Sequence, residues 1–369
     1  MLTAPMVIFA GGFLGLSLAP SLSLATLPVA SMVVGSALAS MPAAFIMQRI
    51  GRRRGFMYAT LIALLGSVLA FYSVRNANFL GLCFSIGLLG AHLTFVQQFR
   101  FAALEWVKPE QAATTASVVL LGGLFAAWLG PELAMLGKDL FSHLFSGAFI
   151  LLAVAHFFIF LLLLLSFIPF AKVPEQKADH SKRSVLDIIS TPAITAAMIS
   201  AAVAYGVMNL IMTATPVSMS EIQNYPLIQT KTVIQSHIMA MFLPSLFSPF
   251  ILRWLSTVAI LIMGIMAMCI SISVALTDQG YWFYWTALVF LGLGWIFLFV
   301  GGTALLAQNY QAHERFKVQA INEGFVFSVQ AIMSLSAGWH ALNLLAIPLL
   351  ILALLVIARW VLSEKSAKT

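Results

Sequence analysis

The sequence predicts an all-α integral membrane protein with twelve transmembrane helices in two pseudo-symmetric six-helix bundles, and three observations predict it. The composition is 61% hydrophobic and only 8% charged, with a mean hydropathy of +1.00, whereas about a quarter of the residues in a soluble domain are charged. Mostly apolar runs of about 18 residues or more, enough for a helix to cross hydrocarbon, recur along the whole chain. Lysine and arginine collect in alternate connections. Cytoplasmic loops carry an excess of these residues, so the net charge of +7 reads as membrane topology and not as nucleic-acid binding.

The predicted spans are 2–19, 24–47, 55–74, 79–103, 113–135, 144–170, 190–215, 232–252, 257–276, 283–307, 318–336 and 340–362. The first begins almost at Met1 without a basic lead-in, so a cleaved signal peptide is not expected. Between the second and third lies the basic turn Gln48-Arg49-Ile50-Gly51-Arg52-Arg53-Arg54. With the N-terminus inside, sixteen of nineteen lysines and arginines fall on the cytoplasmic side, and only Arg75, Lys138 and Lys231 fall outside. Both termini are therefore expected in the cytoplasm, and the protein in an inner membrane. Cys83 and Cys269 sit within apolar spans of opposite halves, and neither a disulfide nor a metal site is expected from them.

The longest polar stretch, Lys172 to Asp187, has no apolar face to bury and reads as a linker. The expected organisation is a six-helix bundle over 1–170, a cytoplasmic linker over 171–189 and a second bundle over 190–369. Landmarks recur between the halves: Arg49 and Arg253 lie 204 residues apart, as do Glu110 and Glu314. Parallel six-helix repeats in transporters leave such weak symmetry.

At this point the chain resembles the major facilitator superfamily over nearly its whole length. That family's loop between spans 2 and 3 reads Gly-x-x-x-Asp-Arg-x-Gly-Arg-Arg. Here Ala44, Gln48, Arg49, Gly51, Arg52 and Arg53 occupy those positions, so the basic part matches while the glycine and the aspartate are replaced. Span 5 carries Ala126-x-x-x-Gly130-Pro131-x-x-Ala134, similar to the Gly-Pro motif of drug/proton antiporters with alanines for two glycines. Span 4 has no arginine near Cys83, where many proton-driven members carry one. The resemblance implies two rocking six-helix bundles, with spans 1, 4, 7 and 10 lining a central cavity.

Ionisable and polar side chains inside apolar spans are costly and so mark pathways or pairings. Span 4 offers His92, Gln97 and Arg100, with Gln98 beside them, at spacings that place a polar stripe on one helical face. Arg100 would attract an anionic part of a solute, or snorkel to the headgroups. Span 7 offers Tyr205, Asn209 and Thr213, four residues apart, followed by Pro216, which would loosen its outer end. Trp295 and Phe299 in span 10 suit a planar or cationic ligand, or fill the core. In span 8, Gln235 and His237 lie in the outer third. Glu132, next to Gly130-Pro131, reads as a proton acceptor or an interfacial carboxylate. Glu323, behind Asn322 in span 11, either carries a coupling proton with a burial-raised pKa or pairs with a base.

The pairing reading leads to a cytoplasmic gate. In the family the loop aspartate holds that gate against the start of span 11; here Gln48 stands in its place while Glu314 and Glu323 lie across it. Arg49 or Arg52 would meet one of these acids, and Arg253 would meet Glu110 or Glu105 by pseudo-symmetry. Arg52, Arg53 and Arg54 also serve as topogenic charges and headgroup anchors.

The expected function is secondary active transport of a small organic solute by alternating access, driven by an ion gradient, with protons as the coupling partner. No Gly-x-x-x-x-Gly-Lys-Ser/Thr segment for ATP and no His-Glu-x-x-His metal motif is present, and Asp139, Asp179, Asp187 and Asp278 fall in loops or at their edges. An enzyme is therefore not expected, nor any cofactor. The Gly-Pro motif leans toward export of drug-like compounds, while the missing span 4 arginine leans toward uptake of a vitamin or siderophore. A transport-dead sensor is the remote alternative.

Overall fold

A computed structural model describes residues 1–21, 24–104, 112–166, 184–247, 254–310, 314–333 and 339–366. The described residues fold into helices α1 Thr3–Leu18, α2 Leu27–Ile50, α3 Arg52–Arg75, α4 Phe79–Gln97, α5 Phe99–Leu104, α6 Ala112–Leu136, α7 Ser146–Leu165, α8 Val185–Ile189, α9 Pro192–Val217, α10 Leu227–Phe242, α11 Thr257–Thr277, α12 Tyr281–Asn309, α13 Arg315–Met333 and α14 Trp339–Ser366. Hydrocarbon offers no water to backbone groups, and a helix satisfies all but its own ends.

Among the described residues, a helix overlaps each of the twelve predicted segments. Eight of the described helices are long and apolar enough to cross a bilayer, and Thr3–Leu18 and Gly122–Leu136 are shorter apolar helices. The two that length and hydropathy do not single out, α10 and α13, hold Gln229, Lys231, Gln235 and His237, and Lys317, Gln319, Asn322, Glu323 and Gln330. On α14, Leu344, Leu345, Ile351 and Leu355 are exposed; a row of this kind is normal against lipid.

Helix ends follow local chemistry. The Asn78 side chain accepts from Gly81 N–H to start α4, and that of Ser256 accepts from Ala259 N–H to start α11. Ser184 and Asp187 form a reciprocal capping box on α8, with Ile188 fully buried beneath it. The stretch read as linker through residue 189 is thus helical over its last five residues. Gly51 breaks the chain between α2 and α3 at φ +83°, a left-handed conformation that glycine adopts without a Cβ penalty.

Three spans depart from simple rods. Span 4 is interrupted: a turn at Gln98 divides α4 from α5. α9 widens after Pro216 into a π turn over Ser218–Ile222, where Gln223 N–H donates to Ser218 O at 3.1 Å. Span 8 begins earlier than expected, at Leu227, and tightens at Leu243–Phe247, where Pro244 supplies no N–H.

Contacts divide the chain into two compact units, Met1–Val173 with Thr213–Met239, and Pro174–Met212 with Ala240–Thr369. In the first, α2 and α4 approach through small residues, as lipid-embedded helices do. Gly35 lies against the Gly87 carbonyl and Gly90 against that of Met32. Ser36 Oγ donates to Gly90 O at 2.8 Å, and Thr94 Oγ1 donates to Ser36 O at 2.8 Å. In the second, Gly264 and Gly294 bring α11 against α12, and Ser271 Oγ donates to Ala287 O at 2.7 Å.

A methyl group at position 35 would collide with the Gly87 backbone, so Gly35→Ala forces α2 and α4 apart. The expected cost is about 1–3 kcal/mol, read as a lowered thermal unfolding midpoint in detergent; Gly51→Ala, which meets no atom but must hold φ +83°, is expected to cost about 1 kcal/mol.

Candidate solute site and the polar contacts around it

The densest chemistry in the second unit surrounds Tyr205, near the middle of α9. Trp295 and Phe299, one turn apart on α12, stack face to face with ring centroids 5.0 Å apart and planes at 11°. Tyr205 meets both edge-on, at 5.2 Å from Trp295 and 5.7 Å from Phe299. Phe327 of α13 lies 6.4 Å from Tyr205, and Phe242 lies 6.3 Å from Trp295. Ala201, Ala202 and Val326 form the apolar floor, with Val329 packed against it. Gly206 leaves room for this approach, since a Cβ there would stand 3.2 Å from Val329.

One turn along α9, Asn209 exchanges hydrogen bonds with Gln330 of α13. Asn209 Nδ2 donates to the Gln330 carbonyl at 3.3 Å, and Gln330 Nε2 donates to Asn209 Oδ1 at 3.4 Å. The two rungs, Tyr205 with Phe327 and Asn209 with Gln330, thus place an aromatic shelf beside an amide shelf. Thr213, the third residue of the predicted row, is buried and belongs to the first unit.

His92 is buried in the first unit. Its Nδ1 lies 3.1 Å from the Ala59 carbonyl, to which it donates, and its ring meets that of His156 edge-on at 5.0 Å. Ser67 Oγ donates to Ala63 O at 2.7 Å, so it accepts from His156 Nδ1 at 3.4 Å, and His156 Nε2 accepts from Thr3 Oγ1 at 3.2 Å. His156 was missed in the sequence reading, although an imidazole in the middle of the all-apolar α7 was signal enough.

Glu132 resolves more sharply. Its Oε1 accepts from Lys231 Nζ at 2.7 Å and from Gln235 Nε2 at 3.3 Å. Gln235 Nε2 also reaches the Trp128 carbonyl at 3.0 Å, next to Pro131, whose ring has no N–H to give the helix ladder. Glu132 is the acid of an ion pair joining α6, from the first half of the sequence, to α10, from the second. Lys231, read from sequence only as an outside charge, is its missed base. Nearby, Gly130 packs on Pro5 and Met6 of α1, and Gly12 of α1 packs on Pro216, so the Gly-Pro segment works as a close-packing device.

The basic turn is anchored within the first unit. Arg52 is buried and donates from Nη1 to Gln98 Oε1 at 3.4 Å. Arg53 donates to the carbonyls of Leu163 and Leu164, at 3.3 and 2.9 Å, capping the C-terminal end of α7 where the helix dipole favours a cation. Arg49 is exposed, and Glu314, just ahead of α13, is buried. Glu323 is half-buried on α13, and Gln97 half-buried at the end of α4. Glu105, Glu110 and Arg253, and the side chains of Gln48 and Arg100, lie outside the described residues. Among the described residues no cluster of side chains fit to hold a metal ion occurs.

The sequence profile of the Major Facilitator Superfamily matches residues 1–334. The chain belongs to that superfamily. Membership makes it a multi-pass membrane transporter of a small-molecule solute, and not an enzyme. It is 31% identical to the riboflavin transporter RfnT of Brucella anthropi over 358 residues, covering 95% of this chain and 90% of that protein. Two uncharacterised MFS-type transporters of Bacillus subtilis, YddS and YdeG, are each 27% identical; the alignments cover 93% and 89% of this chain and 86% and 83% of theirs.

Removing one member of the Glu132–Lys231 pair leaves the other charge poorly solvated. Lys231→Met and Glu132→Gln are each expected to lower the thermal midpoint, and the double variant to lose less than the sum. The cycle should give a coupling of about 1–3 kcal/mol, and additive losses would show that the pair holds nothing together.

Proposed function

We propose that this superfamily member is a secondary active carrier of a planar, vitamin-type heteroaromatic solute, with riboflavin the first solute to test. The observation that carries the reading is the aromatic shelf of Tyr205, Trp295 and Phe299 set beside the Asn209–Gln330 amides, in a chain whose relative is named a riboflavin transporter. A flat ring system gains contact area and stacking on such a shelf, and the amides offer it polar recognition without a formal charge.

The proposal includes alternating access between bundles over 1–170 and 190–369, joined by the 171–189 linker, in an inner membrane with both termini cytoplasmic. The Glu132–Lys231–Gln235 cluster supports it as an outer latch, because it ties α6 to α10 at the end where the charge distribution places the outside. Arg49 and Glu314 are assigned to the cytoplasmic gate on the sequence argument. Drive by a proton gradient is supported by the lack of an ATP-binding segment in the sequence; His92 and Glu323 are the positions assigned to it.

The test is uptake of riboflavin into proteoliposomes with and without an inward proton gradient. Uptake that the gradient stimulates and a protonophore abolishes is expected; flavin release from loaded vesicles under the opposite gradient alone would turn the reading to export. Trp295→Ala should weaken transport through a KM raised about 5- to 150-fold, the equivalent of about 1–3 kcal/mol for a stacked heteroaromatic ring. An unchanged KM would remove the shelf from the solute path. Charge reversal offers a separate check on the gate: Arg49→Glu and Glu314→Arg are each expected to lose transport, and the double variant to regain it.

A further inference from the structure

Around Tyr205 the polar atoms do not all find partners. The Asn209–Gln330 exchange uses Gln330 Nε2, which turns Gln330 Oε1 away, buried and without a hydrogen bond. Trp295 is 4% exposed, and its Nε1, the one polar atom of an indole, is also buried without a partner. Asn322 Oδ1, four residues before Val326 on the same face of α13, is in the same condition. A buried polar group left unpaired costs about 1–3 kcal/mol, and most native groups of this kind are paired. Two of these atoms flank the cluster: Trp295 packs on the Tyr205 ring, and Gln330 is tied to Asn209 one turn along α9.

We infer that Trp295 Nε1 and Gln330 Oε1 are specificity determinants that read the imide edge of the solute, in which a ring N–H stands next to a carbonyl. The carbonyl accepts from the indole N–H and the ring N–H donates to Gln330 Oε1, while the rest of the ring lies on the aromatic shelf. Asn209 contributes as a positioning residue: by holding Gln330 Nε2 it decides which end of that amide faces the solute. The inference rests on the reading of this cluster as the solute site, and it narrows the ligand class to uncharged planar heterocycles carrying a lactam or imide. A flat hydrocarbon or an aromatic cation would leave both orphans unpaired. Trp295 belongs to the ring cluster, and Asn209 holds Gln330 one turn along α9 from Tyr205.

The experiment uses the full chain in detergent and titrates riboflavin and 3-methylriboflavin, which carries a methyl in place of the imide hydrogen, following the quenching of flavin fluorescence. The wild type is expected to bind riboflavin at least tenfold more tightly than its methylated analogue. Gln330→Met, of similar volume, should bring the two affinities within about twofold, and Asn209→Leu should shrink the ratio by freeing the Gln330 amide to turn. Trp295→Phe keeps a ring and loses the donor, so it should weaken both ligands alike and keep the ratio. Because each ratio is taken within one protein, a loss of folded material cancels. A Gln330→Met protein that retains the wild-type ratio would overturn the inference while leaving the aromatic shelf as the site. A folded wild type that binds neither flavin would overturn the flavin reading itself, and this inference with it.

Discussion

In hydrocarbon a polar group has no water to return to, and the arrangement of this protein depends on that constraint. It forces the backbone into helices, and then it forces each polar side chain in a helix to find its partner on a neighbouring helix or on its own preceding turn. Ser36, Thr94 and Ser271 meet the requirement by donating to carbonyls across a seam. Where the seam is closest, glycine makes it possible: without Gly35 and Gly90, α2 and α4 could not come near enough for Ser36 and Thr94 to reach.

The same constraint separates packing chemistry from working chemistry. His156 spends both ring nitrogens on Ser67 and Thr3, and Arg53 spends its donors on the end of α7; these are settled groups. The Glu132–Lys231 pair is different, since its members come from opposite halves of the sequence and its energy falls away if those helices part. The cluster around Tyr205 differs again, because it keeps aromatic surface and polar atoms together without completing the pairings. That incomplete pairing is what the proposed solute site would complete.

Much of this was legible residue by residue. The apolar runs pointed to the eight helices long and apolar enough to cross a bilayer, because hydropathy over about 18 residues is itself the physical cause of insertion. The basic loop and the partial Gly-Pro motif pointed to the superfamily, and Tyr205, Asn209 and Trp295 were singled out because polar and aromatic groups at a spacing of four share a face. Gln330 and Phe327 were not, since nothing local to α13 says which of its faces meets α9. Lys231 was read only as a topological charge for the same reason: its partner lies 99 residues away. The interruption at Gln98 also escaped, because the residues on either side of it are ordinary helix formers.

By itself, then, the sequence determined the solvent, the helices and the family of this protein, all of which follow from composition and from spacings within one helix. The tertiary structure decided which polar residues are partners and which are left over: it joined Glu132 to Lys231, spent His156 on packing, set Trp295 and Phe327 against Tyr205, and tied Gln330 to Asn209. Pairing across helices depends on rotation and depth, and these are set by close packing at glycines and rings far apart in the chain.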